Sequence, residues 1–533
     1  MNTIHRKTVG DLSFIGEAIK IIIIMVTSFF FFSLNVDGNM IYILDEAKNA
    51  ECAREMFEQG DVIVPTFNYE LRTDKPPLHY FFMMLAYQLF GVNELSARIF
   101  SAFFGMLTVL VTFLFTKKYF GERSAWLACL VLLSSLHFLL EFHLAVPDPF
   151  LIFFITATLL SFLSFFQDKD PRFLFPFYIS MALGVLAKGP IAILLPGLII
   201  FLFLIFVKKM KWSFIVRLKP FLGALLVGAI VLPWYVAVHI KTDGAWTEGF
   251  FLEHNVQRFT ETKEGHGGSF FLAPVFVLIG LLPFSIFVFQ SFRYAWSHKQ
   301  NKGLVFCLLA VSVITLFFAV SQTRLPNYTM PAYPFLAILI GTYLADIRKR
   351  SLKHLRASLW VYLLLMLLLP LAIFFGLRSE PDMMHLWYLS LYFLVLPIGA
   401  MLALYFGYKR KPGSIITSLA VSFILMSFLF FTKIFPQVDR QNPVFSSLHL
   451  IDNSKPVVHY KRINPAYLFY LKRPIKKFNN LNELETFLAH NKEAYVISRA
   501  RYIDELNDIN EFKLLFKKKD LFESSTTVLL STE

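Results

Sequence analysis

Two adjacent carboxylates, Asp45 and Glu46, open the stretch LDEAKNAECAREM, which follows closely on the apolar run IIIIMVTSFFFFSL. A carboxylate in such a place can take the proton of an attacking hydroxyl. Further along, RTDKPPLHYFF sets Asp74 and Lys75 before two prolines and an apolar segment. Proline at a helix start fixes the local geometry, so Lys75 is expected at the interface above a second short helix. EFHLAVPDPFLIFF places Asp148 between two prolines at the mouth of an apolar run, and LAKGPIAILLP brings Lys188 to the end of another. GFFLEHNVQRF adds Glu253, His254 and Arg258, EGHGGS adds His266, and SQTRLPNYTMPAYP adds Arg324, Asn327 and Tyr328. Lysine and arginine neutralise phosphate oxygens. Acids and cations gathered beside a membrane therefore suit chemistry on a lipid with a phosphorylated headgroup. Each group also has a purely structural alternative. Asp45 and Glu46 can cap a helix or favour its dipole, Lys75 can snorkel, and Asp148 can begin a proline-flanked helix.

The elements that would hold these groups are mostly apolar. Of 533 residues 56% are hydrophobic and only 17% charged, against about a quarter charged in ordinary soluble domains. Repeated apolar runs of roughly the length that crosses a bilayer predict a polytopic α-helical membrane protein. Thirteen spans are expected, centred on residues 18–36, 97–116, 124–140, 149–166, 173–188, 190–207, 220–240, 270–290, 303–320, 330–346, 358–377, 386–406 and 414–432. The first has a long core and no small-residue cleavage site after it, so it is expected to stay as an anchor. With the N-terminus placed in the cytoplasm, the short loops on that side carry 21 Lys and Arg and those opposite carry three. That asymmetry predicts one orientation, with the C-terminus outside. It also accounts for much of the +14 net charge without nucleic-acid binding. Cys129 and Cys307 fall in spans and only Cys52 lies outside, which leaves no disulfide framework or cysteine zinc site.

Three segments outside the spans are large: 36–94, 241–269 and a tail from about residue 437. In the first, Ala47, Ala50, Ala53, Met56 and Phe57 form a weakly apolar side at helical spacing. Asp45, Lys48, Glu51, Arg54 and Glu55 form the other, which predicts an amphipathic helix along the membrane surface. In the tail, KPVVHY, EAYVIS and TTVLL read as strands, and NELETFLAHN and RYIDELND as helices. The chain is thus expected to divide into a membrane domain, 1–436, and a small α/β domain, 437–533, on the outer face.

The ordered set LDEAKNAECAREMFEQGDVIVPTFN, RTDKPPLHYFF, GVNELSARIFSAFFG, VPDPFLIFF, LAKGPIAILLP, LPWYVAVH, FLEHNVQRF and TRLPNYTMPAYP resembles the GT-C type membrane glycosyltransferases. The branch is that of the bacterial lipid A aminoarabinose transferases and the protein O-mannosyltransferases, and the likeness covers about residues 40–340. The resemblance implies a GT-C fold and an inverting transfer of a sugar from a polyprenyl-phosphate donor to lipid A, another glycan or a protein. It implies the periplasmic face of a bacterial inner membrane, and a monomer among membrane lipids. It also implies Asp45 and Asp148 as essential acids with Glu46 in support, and Lys75, Arg258 and Arg324 on the donor phosphate. Tyr328 would line the donor pocket, with Lys48 and Arg54 as further donor-binding candidates. Some relatives bind a divalent metal, for which Asp74 and His254 are the positions here. Lys48 and Asn49 replace the family's usual Arg-Tyr, and Arg324 a frequent Lys.

Two other readings compete. A transporter or flippase for the same lipid-linked sugar would place titratable groups at mid-membrane and break its helices there. An assembly protein acting through its tail would leave the outer-loop constellation unexplained.

Overall fold

The computed structural model describes residues 2–256, 268–347, 353–509, 511–521 and 523–532, and only the backbone of 2–14, 253–256 and 353–354. The apolar runs all form helices. Among the described residues nine helices are long and apolar enough to cross a membrane. The thirteen expected segments therefore resolve into nine full spans, one bent pair and three short or broken segments. The bent pair is Leu272–Gly280 with Phe284–Ser297, which turns through 113°. The segment around 124–140 divides into α5 (Glu122–Leu133) and α6 (Leu136–Glu141). Ser135 caps α6 by accepting from the Phe138 amide, and its hydroxyl donates to the Gly280 carbonyl of the bent pair at 2.5 Å. The two breaks thus satisfy each other through a serine, with no ion-binding carboxylate at the junction. Helices α8 (Leu174–Lys188) and α9 (Ile191–Phe206) have 15 and 16 residues, or about 22–24 Å at 1.5 Å per residue, shorter than a hydrocarbon core of about 30 Å. The chain is a multi-pass membrane protein.

Helix α2 (Leu44–Gln59) forms where expected, but not as a surface helix with a solvated charged side. Glu46, Glu51, Arg54 and Glu55 are all buried on it. Its cover comes from α3 (Leu78–Phe90) and from the tail. Between α2 and α3 a short hairpin, β1 (Thr66–Phe67) with β2 (Glu70–Leu71), pairs antiparallel. Glu55 holds that hairpin by accepting from the Thr66 hydroxyl and the Tyr69 amide, at 2.7 and 3.0 Å. Next come α4 (Glu94–Phe120), capped by Asn93, and α7 (Asp148–Asp168).

The tail contains five strands: β3 (Val457–Tyr460), β4 (Lys476–Phe478), β5 (Tyr495–Arg499), β6 (Lys513–Lys519) and β7 (Thr526–Ser531). Their order is β4-β3-β5-β7-β6, parallel on both sides of β3 and antiparallel across β7. Strands β4 and β6 are rich in lysine, which hides them in a hydropathy pattern. One face of this sheet shares a core with α2. Ala47, Ala50, Ala53 and Met56 pack in one apolar cluster with Tyr467, Leu468, Leu471 and Leu529. The Tyr470 hydroxyl accepts from the Ile41 amide and donates to Glu94, both at 2.8 Å.

Candidate active site

Asp45 and Glu46 lie in the first turn of α2, whose N-cap, Ile43, makes no side-chain cap bond. The two carboxylates then part company. Glu46 is buried and receives Arg98 Nε and Nη2 at 2.7 and 3.0 Å and the Ala145 amide at 2.9 Å. Arg98 also donates to the carbonyls of Val36, Asn39 and Met40. Its hydrogen-bonding capacity spent in this way, Glu46 fixes the start of α2 to α4 and to the loop ahead of Asp148. It is an anchor in this structure. An enclosed pocket lies behind it, lined in part by Asn39, Arg98 and Asp439.

Asp45 remains half exposed and faces Lys75, whose Nζ lies 3.7 Å from Asp45 Oδ2 while its side chain is only 7% exposed. Arg72 brings the two segments together. Fully enclosed, it donates to the Lys48 carbonyl at 2.5 Å and to Asn49 Oδ1 at 3.0 Å, and its Nε reaches Asp74 at 3.2 Å. The segment after helix Pro220–Lys241 locks this arrangement, since Trp246 Nε1 donates to the Arg72 carbonyl at 3.0 Å. Pro76 and Pro77 then start α3 directly after Lys75.

A second group comes from three other elements. Asp148, the first residue of α7, accepts from Lys188, the last residue of α8, at 2.5 Å. The next residue, Gly189, has φ +85° and a Cβ there would stand 2.6 Å from the Phe250 ring, so only glycine fits this turn. The Lys188 ammonium also sits 5.1 Å from the centre of the Tyr328 ring. Beside Tyr328, Asn327 Nδ2 approaches Glu141 Oε1 at 3.5 Å. Glu141 ends α6, beyond the apolar segment, and is buried. Burial, then the charge of Asp148, pushes its carboxyl up to about 8, and it also feels Lys188 and Asp45. Asp45, Lys75, Glu141, Asp148, Lys188 and Tyr328 thus share one electrostatic neighbourhood.

The other expected residues stand apart or elsewhere. Arg54 is fully buried between Glu51, at 2.6 Å, and Glu58, at 2.5 Å. This pairing inside the first-loop fold removes it from donor binding. Lys48 is half-buried, and its carbonyl holds Arg72. Arg324 donates from Nε and Nη2 to the Ala319 carbonyl at 3.2 and 3.0 Å and from Nη1 to Gly268, so it closes the end of helix Lys302–Val320. Arg258 and His266, and the side chains of Glu253 and His254, lie outside the described residues. Of the two expected metal ligands, Asp74 is engaged by Arg72. No group of three or more His, Cys, Asp or Glu gathers among the described residues, and the His254 side chain lies outside them.

Sequence reasoning passed over Arg72, Arg98 and Glu141. Arg98 carried a usable signal, because an arginine inside an apolar helix needs an acid beside it.

The profile of the dolichyl-phosphate-mannose-protein mannosyltransferases matches residues 74–236. An uncharacterised protein of Aquifex aeolicus is 27% identical over 393 residues, 73% of this chain and 77% of that one. An undecaprenyl phosphate-alpha-4-amino-4-deoxy-L-arabinose arabinosyl transferase of Edwardsiella ictaluri is 29% identical over 334 residues, 62% of this chain. The chain spans only 60% of the length of that relative. The crystal structure of ArnT from Cupriavidus metallidurans bound to undecaprenyl phosphate superposes with a TM-score of 0.79 at 20% identity, over 97% of this chain and 98% of that one. At that identity the likeness shows a shared fold. The Asp45–Lys75 and Asp148–Lys188 pairs set two acids beside two cations.

Proposed function

We propose that this GT-C enzyme moves a sugar from a polyprenyl-phosphate donor to an acceptor hydroxyl by a single inverting displacement at the periplasmic face of the inner membrane. The bond from the anomeric carbon to the phosphate oxygen breaks as the bond to the acceptor oxygen forms on the opposite face. The acceptor's proton passes to Asp45, and the electron pair leaves with the polyprenyl phosphate. Lys75 and Lys188 stabilise the charge gained there. Tyr328 lies along the donor beside Lys188. Asp148 keeps Lys188 in place. The observation that carries this reading is the pairing of half-exposed Asp45 with buried Lys75, a base next to an anion-binding cation.

The undecaprenyl-linked substrate in the Edwardsiella relative's name and the undecaprenyl phosphate in the ArnT crystal structure support an undecaprenyl-type carrier. The lysine and arginine asymmetry of the loops supports the outer face, and residues 437–533 are then a domain on that face. Lipid A is the acceptor this branch favours.

The test is transfer in detergent from a polyprenyl-phosphate sugar to purified lipid A, with product mass read by spectrometry. Asp45→Asn is expected to fold and to lose about 10²–10⁴-fold in rate. Full activity of that variant overturns the reading.

A further inference from the structure

The tail sheet changes direction about β3. The connection from β3 to β4 runs through helix Ala466–Leu471, and that from β4 to β5 through helix Leu481–His490. Strands β4 and β5 flank β3 on its two sides, both parallel to it. The first helix packs with Val457, Ile497 and Leu529 on the face toward α2. The second packs with Val458, Val496 and Leu530 on the opposite face. Where successive connections leave a parallel sheet on opposite faces, a crevice opens at the carboxyl ends of the strands, and ligands of open α/β sheets bind there. In this chain that switch point lies past Tyr460 of β3 and Arg499 of β5.

Its residues are unusual for a loop. Lys461 has φ +61°, and the Arg462 amide donates to the Tyr460 carbonyl at 2.8 Å, closing a three-residue turn around the lysine. Such turns are rare and strained, and glycine relieves them. The lysine ammonium is 2.6 Å from Glu505 Oε2 and 4.4 Å from the centre of the Tyr502 ring. The Tyr460 hydroxyl donates to the same Glu505 oxygen at 2.9 Å. The Arg501 guanidinium lies 4.6 Å from the centre of the Tyr502 ring, and both Arg462 and Arg501 are exposed.

We propose that this crevice is a binding site for a phosphomonoester. Lys461, Arg462 and Arg501 set against Glu505 leave two positive charges, which matches a phosphomonoester of about −1.5 to −2 at neutral pH. The guanidinium groups offer the paired donors that phosphate oxygens take. The strained backbone at Lys461 is kept because it delivers an ammonium to the switch point, where glycine would deliver nothing. The ligand can be a water-soluble sugar phosphate or the headgroup of a phosphorylated lipid. The site stands independently of the transfer chemistry at Asp45.

The experiment titrates the full chain in detergent with glucose 1-phosphate and, separately, with a short-chain phosphatidic acid, followed by phosphorus NMR. The double variant Lys461→Gln/Arg501→Gln is expected to weaken binding about tenfold or more, as loss of a charge-assisted bond does. Lys75→Met serves as the control and should leave this binding in place. Lys461→Gly removes the ammonium and relieves the turn, so it should raise the melting temperature while weakening binding. Binding of glucose 1-phosphate assigns a soluble ligand, and binding of the lipid alone assigns a headgroup. If neither ligand binds, or if the loss follows Lys75→Met and not the Lys461 variants, the proposal fails.

Discussion

Lys188 Nζ stands 2.5 Å from Asp148 Oδ1, across forty residues of sequence. Two helices of opposite direction, α8 ending and α7 beginning, are needed to make this one contact. The side chains are 18% and 7% exposed, so neither charge is well solvated.

Breaking a buried pair from one side leaves a charge without compensation, at a cost of about 3–5 kcal/mol, whereas removing both partners is far milder. Lys188→Met is therefore expected to destabilise the protein more than Lys188→Met combined with Asp148→Asn. Thermal unfolding in detergent gives the order. Both variants should lose transfer, because the cation is gone from each.

Glu46 and Asp45 are neighbours with opposite expected phenotypes. Glu46→Gln weakens a buried bidentate pair with Arg98, so it should lower the melting temperature and the yield of folded protein. Asp45→Asn should leave both unchanged and abolish transfer. Unfolding curves set beside rates separate them, and a stable but inactive Glu46→Gln would return Glu46 to the catalytic set.

Removing residues 440–533 is expected to cost the fold of residues 36–94, not only a dispensable tail. The deletion would uncover Ala47, Ala53 and Met56 on α2 and strip Ile41 and Glu94 of the Tyr470 hydroxyl. The truncated chain should aggregate or be cut by protease within residues 36–94. Tyr470→Phe, which loses two part-buried hydrogen bonds, should show a milder loss of about 1–2 kcal/mol.

How much of this could be read along the chain depends on the range of each interaction. Asp45, Lys75 and Asp148 stood out because prolines and apolar runs frame them locally. Arg54 misled because Glu51, Arg54 and Glu58, at spacings of three and four, look like a solvated helix face. The local pattern does not show that Glu51 and Arg54 are buried in the folded chain. The Glu46–Arg98 pair joins residues 52 apart, and no local pattern announces it. Hydropathy continues through the breaks at Ser134–Ser135 and after Gly280, so the bends there are not legible along the chain. Strands β4 and β6 were missed because lysines mask their period.

Glu141 makes the site sensitive to pH. Its carboxyl is raised to about 8 by burial and by Asp148, so the folded protein holds a proton there that the unfolded chain releases near its ordinary value of about 4.3. The folded state binds more protons across that interval. Stability from this group is therefore fully present below about pH 4 and is lost as pH rises through 8. Glu141→Gln mimics the protonated form and should flatten the loss, so that wild type and variant differ more at pH 9 than at pH 6. Transfer should behave alike if neutral Glu141 is the working form. The variant would keep activity at pH 7 and extend it to higher pH, whereas equal alkaline decline in both proteins would show that another group controls it.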